Sequence, residues 1–160
     1  MTEVLGKKVG YTRGLGRMVR LVDSLSSHQN NAGQILFAWS KRASPGTPLV
    51  GEAKAALFAV QEASFLDYPL IEFEGDNLQV CNALSLDDFQ PDWSISSYIL
   101  DAKALSCNQS SRKVHHVGRD ANRVAHNLAK WAARENVVGN IPVHCIPLDV
   151  LNADNPPHPP

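Results

Sequence analysis

Two carboxylates and two histidines are the side chains whose placement in this sequence could do chemistry. Glu52 stands in "GEAKAALFAVQEA", which reads as the start of a helix, and Asp76 in "IEFEGDNLQVCNAL", just past a strand. Acids converging from a helix start and a strand end would offer hard oxygen donors suited to Mg2+ or Mn2+. The same positions also suit plainer roles, with Glu52 complementing a helix dipole and Asp76 capping the helix that follows. The stretch "VHHVGRDANRVAHNLAKWA" adds His116, Asn122 and His126. At about 100° per residue, Ala121, Val124, Ala125, Leu128 and Ala132 form a buried stripe, and Asn122 and His126 share one flank of it. A flank histidine is ordinarily solvated or hydrogen-bonded rather than a ligand. His116, ending a strand beside that helix, could shuttle a proton or touch a phosphate, and His115 should face the other way. The sequence has no Gly-rich phosphate loop, zinc-ligand spacing or Ser-His-Asp order.

The elements that must position these residues alternate between strand and helix. "GRMVRLVD" (Gly16 to Asp23) and "QILFAWSKR", joined by the polar run "SLSSHQNNAG", read as an antiparallel hairpin. "SPGTPLV" breaks the pattern. "GEAKAALFAVQEASF" then sets Ala53, Ala56, Leu57, Val60 and Ala63 on one helical stripe. "YPLIEFEG" is a strand with Ile71 and Phe73 on one face, and "DNLQVCNAL" a short helix. After the acidic link "SLDDFQPD", the spacing of Ile95, Ile99, Ala102 and Leu105 predicts a helix. "RKVHHVG" is the next strand and "RDANRVAHNLAKWAAREN" the last helix.

The order β–β–α–β–α–α–β–α predicts an α/β domain whose sheet begins as an antiparallel hairpin. Residues 1–15 are a possible first strand, 16–138 the domain, and 139–160 a Pro-rich disordered tail. Ligands of such sheets bind beyond the carboxyl ends of the parallel strands, and Asp76 sits just past one of these.

With 160 residues, 44% of them hydrophobic and 19% charged, the chain can bury a core as one domain. A net charge of −1 excludes a global attraction to nucleic acid, so any such binding needs a local basic patch. Cys81, Cys107 and Cys145 lack metal or redox spacing and read as reduced thiols of an intracellular protein, in cytoplasm or nucleus. No apolar run marks a signal peptide or a membrane span, so no membrane partner is expected. Nothing in the sequence marks an oligomeric state.

Four segments taken in order, "GQILFAWSKR", "GEAKAALFAVQEA", "IEFEGDNLQVCNAL" and "VHHVGRDANRVAHNLAKWA", resemble the ribonuclease H type 1 domain in its plant reverse-transcriptase-like branch. The resemblance runs from roughly Gly16 to Glu135. It implies an RNase H-like mixed five-stranded sheet flanked by helices, and cleavage of the RNA strand of RNA–DNA hybrids by metal-activated water. Active members hold two Mg2+ ions with four carboxylates. By position, Glu52 matches the acid on the first helix and Asp76 the acid after the fourth strand. His116 matches the mobile histidine that assists proton transfer or product release, and Asn122 the asparagine of the last motif.

Two of the family's acids are missing. The last metal-binding aspartate falls at His126, in "AHNLA"; neutral imidazole is a poor Mg2+ ligand, though Mn2+ accepts it better. The first aspartate belongs on the central strand, and no "DG" motif precedes the hairpin. Asp23 has one strand between it and Glu52 where the family has two, so the central strand must come from Thr2 to Tyr11, whose only acid is Glu3. Either "EVLGKKVGY" fills that slot without its acid or the domain is shortened at its N-terminus.

The resulting expectation is a nucleic-acid-binding domain, for RNA–DNA hybrid or other nucleic acid, with hydrolysis weak or lost. One alternative is an active Mg2+- or Mn2+-dependent hybrid endoribonuclease using Glu3 or Asp23 as a substitute ligand. Another is a non-catalytic mobile-element remnant or truncated product without a cofactor. Positive charge gathers at Lys41 and Arg42, at Arg112 and Lys113, and at Arg119, Arg123 and Lys130; the last three lie near the expected site and are its nucleic-acid contacts.

Overall fold

A computed structural model describes residues 6–14, 17–25, 35–65, 70–106 and 112–151. Strands β1 (Gly6–Gly14), β2 (Arg17–Leu25) and β3 (Ile35–Arg42) precede helix α1 (Pro48–Ala63). Next come β4 (Leu70–Gly75), α2 (Leu78–Ser85), α3 (Ser96–Ser106), β5 (Arg112–His116) and α4 (Arg123–Arg134). A short strand β6 (Gly139–Ile141), a 3-10 turn (Val143–Cys145) and helix α5 (Leu148–Leu151) follow.

The strands form one six-stranded sheet in the order β5-β4-β1-β2-β3-β6. β1 runs parallel to β4, with Gly6 opposite Leu70 and Gly10 opposite Glu74, and antiparallel to β2, with Gly6 opposite Leu25 and Gly14 opposite Arg17. The central slot is therefore filled by the segment expected to be a possible first strand. It carries Lys7, Lys8, Tyr11 and Arg13, and no carboxylate. Glu3 lies outside the described residues.

Adjacent residues of β3 point to opposite faces, and they separate two cores. Trp39 packs with α1 and α3 over Ile71 and Phe73 of β4. Ala38 packs with Ala125, Leu128, Ala129 and Ala132 of α4. α1 carries a buried stripe of small residues (Ala53, Ala55, Ala56, Ala59, Ala63), which lets the helix lie close on the sheet. Of the stripe expected on α3, Ile95, Ile99 and Ala102 are buried while Leu105 is exposed, because it falls in the last turn, beyond the contact with α1.

Two expectations need correction. The sheet has six strands rather than five, because Gly139, Asn140 and Ile141 pair with Ser40, Trp39 and Ala38. For the same reason residues 139–151 are not a disordered tail: Ile141, Ile146 and Val150 bury themselves beside α4. Ser40 Oγ donates to the Val137 carbonyl at 2.6 Å, and Arg42 to Asn136 Oδ1 at 2.9 Å, so the chain leaving α4 is tied to β3. Gly139 enters β6 at φ +91°, a conformation that strains any residue with a Cβ. Residues 152–160 lie outside the described residues.

Candidate functional site

β4 ends at Gly75, and the next two residues divide the work that one of them was expected to do. Asn77, not Asp76, caps α2: its Oδ1 accepts from Val80 N–H at 3.1 Å. Asp76 is left to make another contact, and Asn122 Nδ2 donates to its Oδ1 at 3.4 Å. Asn122 occupies the N-cap position of α4 without a side-chain capping bond, and it is buried at 5% exposure. A buried amide turned from its own helix toward an acid 46 residues away ties the end of β4 to the start of α4.

The expectation that Glu52 opens a helix is also corrected. α1 begins at Pro48 behind the N-cap Thr47, whose side chain accepts from Val50 N–H, and its first turn holds no acid. Glu52 therefore sits in the second turn, beyond the reach of the helix-dipole role, which fades within the first. Its side chain is half-buried, with Oε2 removed from solvent. Thr-Pro is itself a helix-start signal, with Pro at the first helical position, and it stood in the sequence as "GTPLV".

His126 lies on the next turn of α4. Its Nε2 is 3.3 Å from Arg119 Nη2, which has protons only to give, so Nε2 is the acceptor and the ring proton belongs on Nδ1. Nδ1 is buried with no hydrogen-bond partner among the described residues. Burial above all, then the charges of Lys130 and Arg119, push the imidazole below its usual pKa, while Asp76 pulls the other way. The result is a neutral ring wedged among cations beside one carboxylate.

His116 ends β5 exposed and in register with Gly75, and the neighbouring Val117 N–H donates to the Gly75 carbonyl at 3.0 Å. His115 faces the other way, its Nε2 3.9 Å from Glu72 Oε2. Cys81, read only as a reduced thiol, is buried and its Sγ donates to the Gly75 carbonyl at 3.5 Å, steadying the strand end. Arg119 and Lys130 are exposed, and Arg123 pairs with Asp120 at 3.0 Å. A further basic group lies apart from these, where Lys41, Arg42 and Lys54 line a hollow with Phe58 and Tyr98.

This donor set does not fit a two-metal centre. β1 offers no acid at the central position, and among the described residues no three His, Cys, Asp or Glu side chains gather as a metal-binding group. The His126 lone pair that would face a metal is already engaged by a guanidinium. The backbone of Asp23 is opposite Lys8, which in turn is opposite Glu72. From Glu72 to the strand end at Gly75 is three residues, about 10 Å along the sheet.

The sequence profile of the reverse transcriptase-like family matches residues 28–132. That span runs to the end of the buried stripe of α4 and leaves β1 and β2 outside it. No curated protein sequence matches. Among solved structures, RNase H1 from the halophilic archaeon Halobacterium salinarum superposes with a TM-score of 0.65 at 17% identity, over 82% of this chain and 99% of that one. The N-terminal RNase H domain of a Mycobacterium tuberculosis protein gives 0.59 at 17% identity, over 81% and 98%. LC11-RNase H1, solved in complex with an RNA/DNA hybrid, gives 0.56 at 13% identity, over 72% and 88%. At these identities the likeness shows the RNase H-like fold. Among the described residues no helix is long and apolar enough to cross a membrane.

Proposed function

The chain belongs to the reverse transcriptase-like family, and on that premise we propose that it is an RNase H-like nucleic-acid-binding domain in which hybrid hydrolysis is lost or severely weakened. One observation carries the reading: where hydrolysis by two metals needs an acid, this chain has a neutral His126 held by Arg119. The central strand agrees, with lysine and arginine in place of a carboxylate. Glu52 and Asp76 are then the remainder of a catalytic set. His116 is the residue of that set closest to bulk solvent, free to meet a phosphate.

The ligand this reading favours is an RNA–DNA hybrid. Arg119 and Lys130, exposed and both acting on His126, supply phosphate contacts, and Arg123 joins them by releasing Asp120. The histidine in "AHNLA" aligns the domain with the plant branch of the family.

The test pairs binding with cleavage. A labelled RNA–DNA hybrid should bind in a salt-dependent way, and Arg119→Gln should lower the slope of log K against log salt by about 0.9, one phosphate contact. In Mg2+ or Mn2+ the hybrid should stay intact. Cleavage that disappears on Glu52→Gln or Asp76→Asn would overturn the proposal in favour of a working ribonuclease.

A further inference from the structure

Beside α1 lies a hollow of about 230 Å3 whose described lining holds three cations, Lys41, Arg42 and Lys54, and no carboxylate. Lys41 is two residues along β3 from Trp39 and shares its face, and its Nζ lies 5.5 Å from the centre of the Phe58 ring. Lys54 of α1 places its Nζ 5.6 Å from the centre of the Tyr98 ring and donates to Ser44 Oγ at 2.7 Å. Arg42 donates to Asn136 Oδ1 at 2.9 Å. Rings, a hydroxyl and an amide hold these groups in place, and all of them are neutral, so they leave the three positive charges unoffset.

Like charges gathered in a recess raise the local positive potential and draw anions to it. Their donors are within reach, since Lys41 and Arg42 are exposed and Lys54 is half-buried. An ammonium carries three protons, so Lys54 has others to give after Ser44 accepts one. The hollow turns away from the end of β4. At about 100° per residue, Lys54, Leu57, Phe58 and Gln61 lie roughly 140° to 240° around α1 from Glu52. Asp76, Arg119, Asn122, His126 and Lys130 do not line it.

We propose that this hollow holds a backbone phosphate of a single nucleic-acid strand between Lys41 and Lys54, with Arg42 at its edge. Lys41 and Lys54 belong to the α1 side of the sheet, while Arg119 and Lys130 stand beside α4 on the other side. A phosphate in the hollow is therefore not one that meets α4. A strand joining the two must bend around the sheet, which a single strand does at little cost and a duplex resists. A positive recess beside aromatic side chains is also the surface that single strands track. The site rests on the reading of the domain as a nucleic-acid binder, and its occupant is a strand that leaves a hybrid rather than the hybrid itself.

The test measures binding of the full chain to an oligothymidylate of about twelve nucleotides, to a blunt RNA–DNA hybrid and to thymidine 5′-monophosphate. The oligothymidylate should bind with a log K that falls with log salt. The double variant Lys41→Gln with Lys54→Gln should lower that slope by about 0.7, one phosphate contact on a single strand. Lys41→Gln alone, at an exposed side chain, should weaken the same binding severalfold at low salt and carries the test if the double variant does not fold. The blunt hybrid should bind the double variant as it binds the wild type, and respond to Arg119→Gln instead. A hybrid that fails to bind while the oligothymidylate binds through the two lysines would end the hybrid reading and leave this one standing. No salt-dependent binding of the oligothymidylate, a slope unchanged by the lysine variants, an equal loss on the blunt hybrid, or the monophosphate binding as tightly as the strand would each overturn the proposal.

Discussion

At the end of β5 that carries His116, polar groups lie close together: Asn122 donates to Asp76, Arg119 to His126, and Asp76 and Arg119 act on the same imidazole. At the other end, Arg112 lies on Phe73 and donates to Ser106, while its Nε and Nη2 are buried with no hydrogen-bond partner among the described residues. Three residues of one strand, Lys113 to His115, separate the two. The first end is where the resemblance would put metal acids, and there Arg119 already holds the His126 ring. The second sits where the family resemblance assigns no role, and its arginine closes two donors off from solvent. The difference teaches that a site's ancestry and the satisfaction of its polar groups are separate properties. The first is read from position along the chain, the second from which hydrogen bonds remain to be made.

The comparison breaks first at Asn122. Replacing it with leucine removes the donor to Asp76 and forces an apolar branch into a place shaped for an amide, so Asn122→Leu should destabilise the domain by about 2 kcal/mol. Urea unfolding at neutral pH measures it. A change near zero would mean that the Asp76–Asn122 contact does not hold α4 to β4. Arg112→Met acts at the other end and should change stability by less than about 1 kcal/mol, because the part-buried charge leaves together with its contact on the Phe73 ring. If both substitutions destabilise alike, Arg112 is satisfied by water and the two ends are not different in kind.

A third substitution separates the two acid-side neighbours at the end of β4. Asn77→Ala removes the cap of α2 and should cost about 1 kcal/mol, whereas Asp76→Ala should leave the helix start intact. Helix content near α2, followed by amide exchange at Val80 and Cys81, distinguishes the variants. Faster exchange in Asp76→Ala than in Asn77→Ala would return the capping role to the aspartate.

The sequence made the alternation of strand and helix from β2 to α4 legible because each element has a clear period: Ile71 and Phe73 at spacing two, Leu128 and Ala132 at spacing four. β1 was harder, since "GKKVGYTRG" has little apolar alternation and owes its place to β2 and β4 on either side. β6 was missed because three residues that begin with glycine and stop at a proline carry no periodic signal, and only Ile141 joins a core. Within the site, Glu52, Asp76, His116, Asn122 and His126 could be named by type and position. Which of Asp76 and Asn77 would cap could not be read, because both side chains can do so and the choice depends on Asn122, far away in sequence. The unmatched donors of Arg112 have no sequence signature, because "RKVHH" reads the same whether its arginine meets solvent or Phe73.

The smallest effect concerns His126 and depends on acidity. Burial, Lys130 and Arg119 hold its imidazole below the usual pKa of about 6.5 that applies in the unfolded chain. In the acid range the unfolded chain therefore binds the proton more readily than the folded one. The histidine's contribution to stability is complete above about pH 6.5 and is lost as pH falls through the folded-state value. Protonation would also turn Nε2 into a donor and break its contact with Arg119. His126→Asn should accordingly flatten the loss of stability between neutral and mildly acidic buffer, measured by parallel urea unfolding of the two proteins. Arg112→Met should leave that pH slope as it is in the wild type, since a guanidinium does not titrate in this range. A slope unchanged by His126→Asn would show that the imidazole is not held neutral by its cationic neighbours, and the chief objection to a metal at that position would fall.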